Sequence, residues 1–230
     1  MQIMGIFGKI YDNRQEGSWS SNLRSHRLNL FKSLIATIET PIKVLDVGGT
    51  FDFWNNSGLI SSNQEIQLTI LNMSSIEIDS EHPNIKAVVG DARNMQQFTD
   101  GEFDVVFSNS VIEHVGSYRD QELMAKEIIR VSKRYFIQTP NLYFPIEPHF
   151  VFPFFQFLPR ELKFWLVTHF KLGWYDRETN EQKAWDLVNE VRLLTKNEFA
   201  SIFPNAAMYQ EKVLGLTKSF ILYGGWNSSL

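Results

Sequence analysis

The chain contains no cysteine among its 230 residues. It therefore forms no disulfide, carries no thiolate nucleophile and offers no cysteine ligand to a metal. The first residues lack the charged region and the long apolar stretch of a signal peptide. No run of about 18 apolar residues predicts a membrane-crossing helix. We therefore expect a cytoplasmic protein. The net charge of −4 argues against nucleic acid as a partner, because nucleic-acid binders usually carry a basic face.

Also missing is the motif G-x-G-x-x-G, in which dinucleotide-binding domains place glycines after a strand and an acid about 20 residues later. Here the acid comes first, because Asp46 lies in the apolar run 43–47 and Gly48 and Gly49 follow that run. The run predicts a buried parallel strand, and the glycines allow a sharp turn and a close approach to a ligand. This order disfavours a nicotinamide-dependent reductase.

Further apolar runs predict strands at 67–72, 85–92, 103–110 and 134–141, with a helix at 118–132 between the last two. Alternating strands and helices predict a doubly wound, mostly parallel α/β sheet, which binds ligands at the carboxyl ends of its strands. Asp46, Asn72, Asp91 and Asn109 all stand at such ends. We expect these four side chains to converge on one crevice.

Taken in order, these segments resemble the Rossmann-like (class I) methyltransferases that depend on S-adenosylmethionine (SAM). VLDVGG at 44–49 is similar to the first motif of that family, and VGDA at 89–92 to its adenine-contacting turn. FDVVFSNSVIEHV at 103–115 resembles the fourth-strand motif of the ubiquinone-biosynthesis-like, type 11 branch. The resemblance spans residues 40–141. It implies a seven-stranded sheet with an antiparallel edge strand, SAM as cofactor, and a small-molecule, lipid or saccharide as methyl acceptor.

The resemblance also implies which residues contact SAM. Gly48 and Gly49 would approach its methionine end, with Asp46 accepting a hydrogen bond from the ammonium group. Asp91 would accept from the adenine amine, and the Ala92 N–H would donate to the ring. The expected cofactor-binding residues are Asp46, Gly48, Gly49, Asn72, Asp91, Ala92, Ser108, Asn109 and Ser110, the last three near the sulfonium.

Two positions depart from the family pattern. Asn72 stands where the family usually has an acid that binds both ribose hydroxyls. The family's glycine loop usually carries a third glycine, but here Thr50-Phe51-Asp52 follows the glycine pair. An amide can still accept one hydroxyl hydrogen, although without the help of a charge. These departures motivate an alternative function, a regulatory or scaffolding protein that binds SAM without transferring its methyl group.

After the fifth predicted strand, residues 143–175 contain twelve aromatic residues, and four prolines interrupt the first half of this segment. We expect a small separate core whose inner wall faces the substrate, with a helix at 159–170. A lid, a contact with a membrane surface and a dimer surface are the alternatives. No feature of the sequence predicts an oligomeric state.

Three residues are candidates for a general base. Glu147 and His149 lie on a proline-stiffened loop just past the fifth strand and are the preferred substrate-facing pair. His114, in the turn after the fourth strand, is the third candidate. No group of His, Asp or Glu has metal-ligand spacing along the chain, so no metal is expected.

The whole chain, 1–230, is predicted to form a single domain. We expect a covering helix at 20–39, a cofactor-binding core at 41–141, a substrate-side insertion at 142–194, and a closing helix and strand pair at 195–224.

Overall fold

A computed structural model describes residues 19–60, 65–78 and 82–226. The residues to which the signal-peptide argument applies lie outside this part of the chain. Within it, no helix is both long enough and apolar enough to cross a membrane.

Seven strands form one sheet, and they are β1 (Ile42–Val47), β2 (Ile66–Asn72), β3 (Ile85–Val89), β4 (Val105–Asn109), β5 (Tyr135–Pro140), β8 (Ala207–Val213) and β9 (Leu216–Gly224). Their order in the sheet is β3-β2-β1-β4-β5-β9-β8. The first five strands pair in parallel, β9 is antiparallel to β5, and β8 closes the edge antiparallel to β9. The doubly wound sheet and its antiparallel last pair are therefore confirmed.

Helices cover both faces of this sheet and form the insertion. They are α1 (Trp19–Ile35), α2 (Phe51–Ser57), α3 (Tyr118–Val131), α4 (Arg160–His169), α5 (Glu181–Asn189) and α6 (Lys196–Ile202). Short 3₁₀ helices span Ile112–His114 and Phe155–Phe157, and β6 (Ile146–Glu147) pairs with β7 (Phe152–Pro153). The hairpin β6–β7 and α5 were not predicted, because two-residue strands leave no periodic pattern and α5 lies in a mostly polar stretch.

The two faces of the sheet carry separate cores, because a parallel strand is buried on both sides. On one face Met124 and Ile128 of α3 pack with Phe199 of α6, and on the other Phe31 of α1 packs with Trp54 of α2. The strands that carry the site are therefore packed between two layers of helices.

Capping boxes open both α3 and α6. The side chains of Ser117 and Thr195 each accept from the backbone N–H three residues on, and the acids at those positions accept in return. The covering helix ends at Ile35, short of the predicted 39. The β8–β9 turn holds only Leu214 and Gly215, since β9 already begins at Leu216.

The aromatic insertion forms a small core of its own, as expected. Phe150 and Phe155 stack with ring centroids 4.0 Å apart, and Val167 of α4 and Ala184 of α5 complete this cluster. The predicted helix 159–170 corresponds to α4. The insertion therefore packs as a unit beside the carboxyl ends of the strands.

Candidate active site

A cleft of about 350 Å³ opens at the carboxyl ends of β1, β2 and β3. We call it the strand-tip cleft. The 3₁₀ turn after β4 forms its far wall, and the end of α5 reaches its rim. Its lining residues are Val47, Gly48, Leu71, Asn72, Met73, Gly90, Asp91, Ala92, Arg93, Val111, His114, Val115, Gly116, Asn189 and Glu190. The convergence of Asn72 and Asp91 predicted from the sequence is present here.

The turn after β1 needs both of its glycines. Gly48 has a φ of +77°, and a Cβ atom there would meet the Val111 side chain at 2.5 Å. A Cβ atom on Gly49 would overlap the carboxylate of Asp46, which folds beneath the loop. The Gly48 N–H donates to the Leu71 carbonyl at 2.8 Å. That N–H is therefore engaged within the protein, although the sequence led us to expect it to face a ligand.

Asp46 is buried beneath this loop and does not line the strand-tip cleft. Its Oδ2 accepts from Trp54 Nε1 at 2.5 Å, and its Oδ1 is buried with no hydrogen-bond partner among the described residues. Burial raises the pKa of the Asp46 carboxyl to about 7, although the hydrogen bond from Trp54 acts to lower it. Asp46 supports the glycine turn from below, and its contact with a ligand stays a prediction.

This raised pKa predicts a pH-dependent stability. Between pH 3.8 and about 7 the unfolded chain releases the Asp46 proton while the folded chain keeps it, so stability falls as pH rises through this window. Asp46→Asn removes this titration. The free energy of unfolding of Asp46→Asn relative to the parent should therefore increase by up to about 4 kcal/mol from pH 4 to 7.

Urea denaturation at both pH values measures this difference. Asp52→Asn, at an exposed position on the adjacent α2, is the matched control and should show no such trend. An equal pH dependence in Asp46→Asn and the parent would show that the buried carboxyl does not titrate abnormally.

Asn72 joins the tip of β2 to the glycine turn. Its Nδ2 donates to the Gly49 carbonyl at 2.7 Å. A carboxylate at this position has no hydrogen to donate and would face a carbonyl oxygen. This contact gives a structural reason for an amide at a position where the resembled family usually has an acid.

Asp91 is held by Arg93, a residue that the sequence argument did not select. The Arg93 guanidinium donates to both oxygens of Asp91 at 2.6–3.0 Å and also reaches Asp120 at 3.2 Å. These hydrogen bonds from Arg93 lower the pKa of Asp91. Asp91 is therefore an ionised, oriented acceptor at the cleft, with Ala92 beside it in the lining.

Ser108, Asn109 and Ser110 do not line the strand-tip cleft, contrary to expectation. Ser108 is fully buried, and its hydroxyl donates to the Val47 carbonyl at 3.1 Å, which ties β4 to β1. Asn109 and Ser110 instead line a second cavity of about 290 Å³ on the other side of the β4 tip, together with Arg24, Arg27, Gln138, Pro148, Trp174 and Lys218. We call this cavity the basic pocket.

The three candidate bases lie in one hydrogen-bonded chain. His149 Nδ1 lies 2.6 Å from Glu147 Oε1, and His149 Nε2 lies 3.1 Å from His114 Nε2. His114 Nδ1 lies 3.4 Å from Glu190 Oε1 at the end of α5. Glu147 Oε2 also accepts from the backbone N–H groups of His149 and Phe150. The sequence suggested His114 as an alternative general base to Glu147 and His149. The fold instead brings the three side chains into contact.

This geometry constrains the protons on the histidine pair. The Nδ1 of His149 faces the Glu147 carboxylate and therefore carries a hydrogen, so a hydrogen bond between the two Nε2 atoms needs one hydrogen between them. Burial acts to lower the pKa of His149, but the hydrogen bond and charge of Glu147, with the charges of Glu113 and Glu190, outweigh it and raise the pKa. Glu147 therefore favours the protonated form of His149.

Glu113 completes the cluster from within the core. It is fully buried, its Oε2 accepts from the Thr139 hydroxyl at 3.0 Å, and its Oε1 has no partner in the described parts of the chain. Burial raises its pKa, although His149 and His114 act to lower it. Ligand atoms of Glu113, His114 and His149 lie within 4.8 Å of one another, so these three could hold a metal ion. Spacing along the chain did not predict this group of possible metal ligands, because His149 lies 35 residues from His114.

Comparison with known proteins supports the same reading of the fold. Residues 59–135, from just after α2 to the start of β5, match the model of a family described as a methyltransferase domain. A search of curated protein sequences found no match.

Three solved structures share the fold at low identity. The CurJ carbon methyltransferase is 7% identical with a TM-score of 0.59, covering 93% of this chain and 56% of that one. A proposed O-methyltransferase from Nostoc punctiforme is 13% identical with a TM-score of 0.51, covering 89% and 58%. A proposed zinc-dependent alcohol dehydrogenase from Rhodobacter sphaeroides is 11% identical with a TM-score of 0.56, covering 84% and 87%. The chain thus spans less than two thirds of the first two structures.

The strand order, the strand-tip cleft and these likenesses define the class. The chain has the Rossmann-like methyltransferase fold, and the match over 59–135 supports a methyltransferase domain.

Proposed function

We propose that this protein is a SAM-dependent methyltransferase of the ubiquinone-biosynthesis-like branch that acts on a small-molecule, lipid or saccharide acceptor. One observation carries the proposal. The neighbouring residues Ser110 and Val111 line different cavities, the basic pocket and the strand-tip cleft. His114 lines the cleft, and Pro148, which separates Glu147 from His149 in the sequence, lines the pocket. A donor and an acceptor can therefore meet at the β4 tip.

The strand-tip cleft has the size and chemistry for the adenosine part of SAM. Its volume lies in the range of small-molecule sites. Asp91 and the Ala92 N–H can recognise the polar edge of adenine, and Leu71 and Val111 supply apolar walls for the ring. Asn72 stands beside them for the ribose. When bound, SAM would supply a methyl group on a sulfonium that already carries its leaving group.

The protein's own task is to align the acceptor and to take its proton. Alignment for in-line attack accounts for a large part of such a rate enhancement. An oxygen or nitrogen acceptor also loses a proton, which the neutral imidazole of His149 can accept. Glu147 fixes the orientation of His149 and stabilises its protonated form. His149 and His114 are the proposed bases, and Glu147 is a positioning residue.

A second function, SAM binding without methyl transfer, is favoured by two observations. The Gly48 N–H donates to the Leu71 carbonyl, and Asn72 Nδ2 donates one hydrogen bond to the Gly49 carbonyl. Both contacts reduce the number of hydrogen-bond donors that the turn offers to a ligand. A methyl-transfer screen with labelled SAM distinguishes the two functions, because only the first transfers label to an acceptor.

Cofactor binding is tested by titration with S-adenosylhomocysteine in a calorimeter. Asp91→Ala should weaken binding by about 1.5–3 kcal/mol, because it removes a charged acceptor from the adenine amine. Asp100→Ala, which removes an exposed acid that pairs with Arg130, is the control and should bind as the parent does. Equal binding by Asp91→Ala and the parent would contradict the placement of adenine. Binding of NADH in place of S-adenosylhomocysteine would contradict the proposed function.

A further inference from the structure

Glu113, His114 and His149, which we call the histidine cluster, bring three potential metal ligands together. One ligand atom from each residue lies within 4.8 Å of the other two, and the two histidine Nε2 atoms are 3.1 Å apart. Two imidazole nitrogens that bind one tetrahedral zinc ion, each at about 2.0–2.1 Å, lie about 3.3 Å from each other. The spacing of the two Nε2 atoms is therefore close to that of a pair of metal ligands.

Glu113 contributes a carboxylate oxygen that the described part of the chain leaves without a hydrogen bond. Its side chain is 0% exposed, and while Oε2 accepts from the Thr139 hydroxyl, Oε1 is buried and has no hydrogen-bond partner there. A carboxylate oxygen buried in this way costs free energy unless a proton or a cation compensates it. Glu113 therefore provides an unused ligand atom beside the two imidazoles.

Carboxylates behind the two imidazoles orient them for such a role. His149 Nδ1 lies 2.6 Å from Glu147 Oε1, and the other oxygen of Glu147 accepts from the backbone N–H groups of His149 and Phe150. Glu190 Oε1 lies 3.4 Å from His114 Nδ1. Histidines that bind a metal ion usually donate their second ring N–H to a carboxylate, which fixes the ring and makes it a stronger ligand. The histidine cluster has this outer layer of carboxylates.

The charges around the histidine cluster also favour a cation. Three carboxylates act electrostatically on His149, namely those of Glu113, Glu147 and Glu190. The ammonium group of Lys163 acts on Glu147 and offsets one of these negative charges. With neutral imidazoles and ionised carboxylates, two negative charges are left. A divalent cation would balance them.

We propose that Glu113, His114 and His149 bind a divalent transition-metal ion of the zinc type. Two imidazole nitrogens with one carboxylate oxygen suit zinc, whereas magnesium prefers oxygen ligands. Three protein ligands leave a fourth position on the ion for water. His114 also lines the strand-tip cleft, so the ion has access from that cleft. This proposal differs from the expectation of no metal, which rested on spacing along the chain, and it does not depend on the proposed function.

A bound ion would change the chemistry open to the two histidines. An imidazole whose Nε2 lone pair binds a metal cannot accept a proton at that atom. The base assigned to His149 under the proposed function therefore belongs to the metal-free protein. Turnover with an acceptor found in the screen should fall when zinc binds and recover after treatment with EDTA. A rise in turnover on zinc binding would overturn the assignment of His149 as base and support the metal site.

Zinc binding is measured by titrating the full, tag-free chain with Zn²⁺ in competition with a coloured chelator, after treatment with EDTA and its removal. We expect one equivalent to bind, and Co²⁺ in its place to show the visible absorption of a four-coordinate ion. Glu147→Gln removes a carboxylate behind a ligand and should weaken zinc binding by about 10–100-fold. His149→Asn removes a ligand and should weaken it further. His169→Asn makes the same change at an exposed histidine of α4 and should bind zinc as the parent does.

The midpoint of thermal unfolding checks the fold of each variant and gives a second readout. Excess zinc should raise it in the parent, because the ion binds the folded site, and should raise it less in Glu113→Gln. Zinc binding unchanged in His149→Asn, zinc binding lost equally in His169→Asn, or displacement of zinc by an equal concentration of Mg²⁺ would overturn the inference. Titration with S-adenosylhomocysteine tests the proposed function separately, since Asp91 is the residue expected to hold adenine.

Discussion

Replacing Glu147 by Gln and His149 by Asn together is expected to lower turnover by about 100-fold or more, while the affinity for S-adenosylhomocysteine stays nearly unchanged. The loss follows because His149 is the proposed base and Glu147 holds its Nδ1 at 2.6 Å. Affinity is retained because neither residue lines the strand-tip cleft. The measurement is steady-state transfer of labelled methyl to an acceptor found in the screen, with calorimetry in parallel.

A matched control lies in the same insertion. Glu161→Gln with His169→Asn makes the same chemical changes at two exposed positions of α4, and turnover should be unaffected. Full turnover in the Glu147/His149 variant would remove both from the mechanism and leave His114 as the candidate. Loss of cofactor affinity in a folded variant would instead show that the insertion closes over the donor.

The pH profile separates a base from a merely structural pair. The pKa of His149 is raised above its ordinary 6.5, and the base form is the deprotonated one, so turnover should rise with pH through the raised pKa. In Glu147→Gln the carboxylate that raises this pKa is gone. The rise should then move to lower pH, a change that a purely structural role of Glu147 would not produce.

Arg27→Leu is expected to lower the free energy of unfolding by about 3–5 kcal/mol. Removing the guanidinium leaves the Glu211 carboxylate buried without its ion-pair partner, and it also releases Asn109 and Gln138. Desolvation of an unpaired charge accounts for most of the cost. Urea denaturation measures the change, with the circular dichroism spectrum confirming that the variant folds.

Two comparisons sharpen this result. Lys171→Met breaks the exposed Lys171–Asp176 pair and should cost about 1 kcal/mol or less. Arg27→Leu combined with Glu211→Leu removes both charges and should recover much of the lost stability. If Arg27→Leu costs no more than Lys171→Met, the buried pair does not stabilise the fold.

The sequence by itself determined the order of the helices and strands and the edge of the sheet at which the site lies. Apolar runs such as 43–47 have the length of buried strands and are too short for buried helices. Ser117 and Asp120 form the capping box that marks where α3 begins. Both signals are local in the sequence. The order of these elements leaves few topologies open, since crossovers between parallel strands are right-handed. The strand tips that carry Asn72 and Asp91 therefore had to meet at one edge of the sheet.

Only the tertiary structure decided which side chains share a cavity at that edge. Ser110 and Val111 are adjacent in the chain but line different cavities, because Ser110 has a φ of +55° and the chain reverses there. His114 and His149 are 35 residues apart, and Arg27 and Glu211 are 184 apart. No local pattern encodes such contacts, since they arise from how the helices and the insertion pack on the sheet. The position of the strand tips could be predicted from the sequence. The contact between His114 and His149 and the lining of the basic pocket depend on tertiary packing.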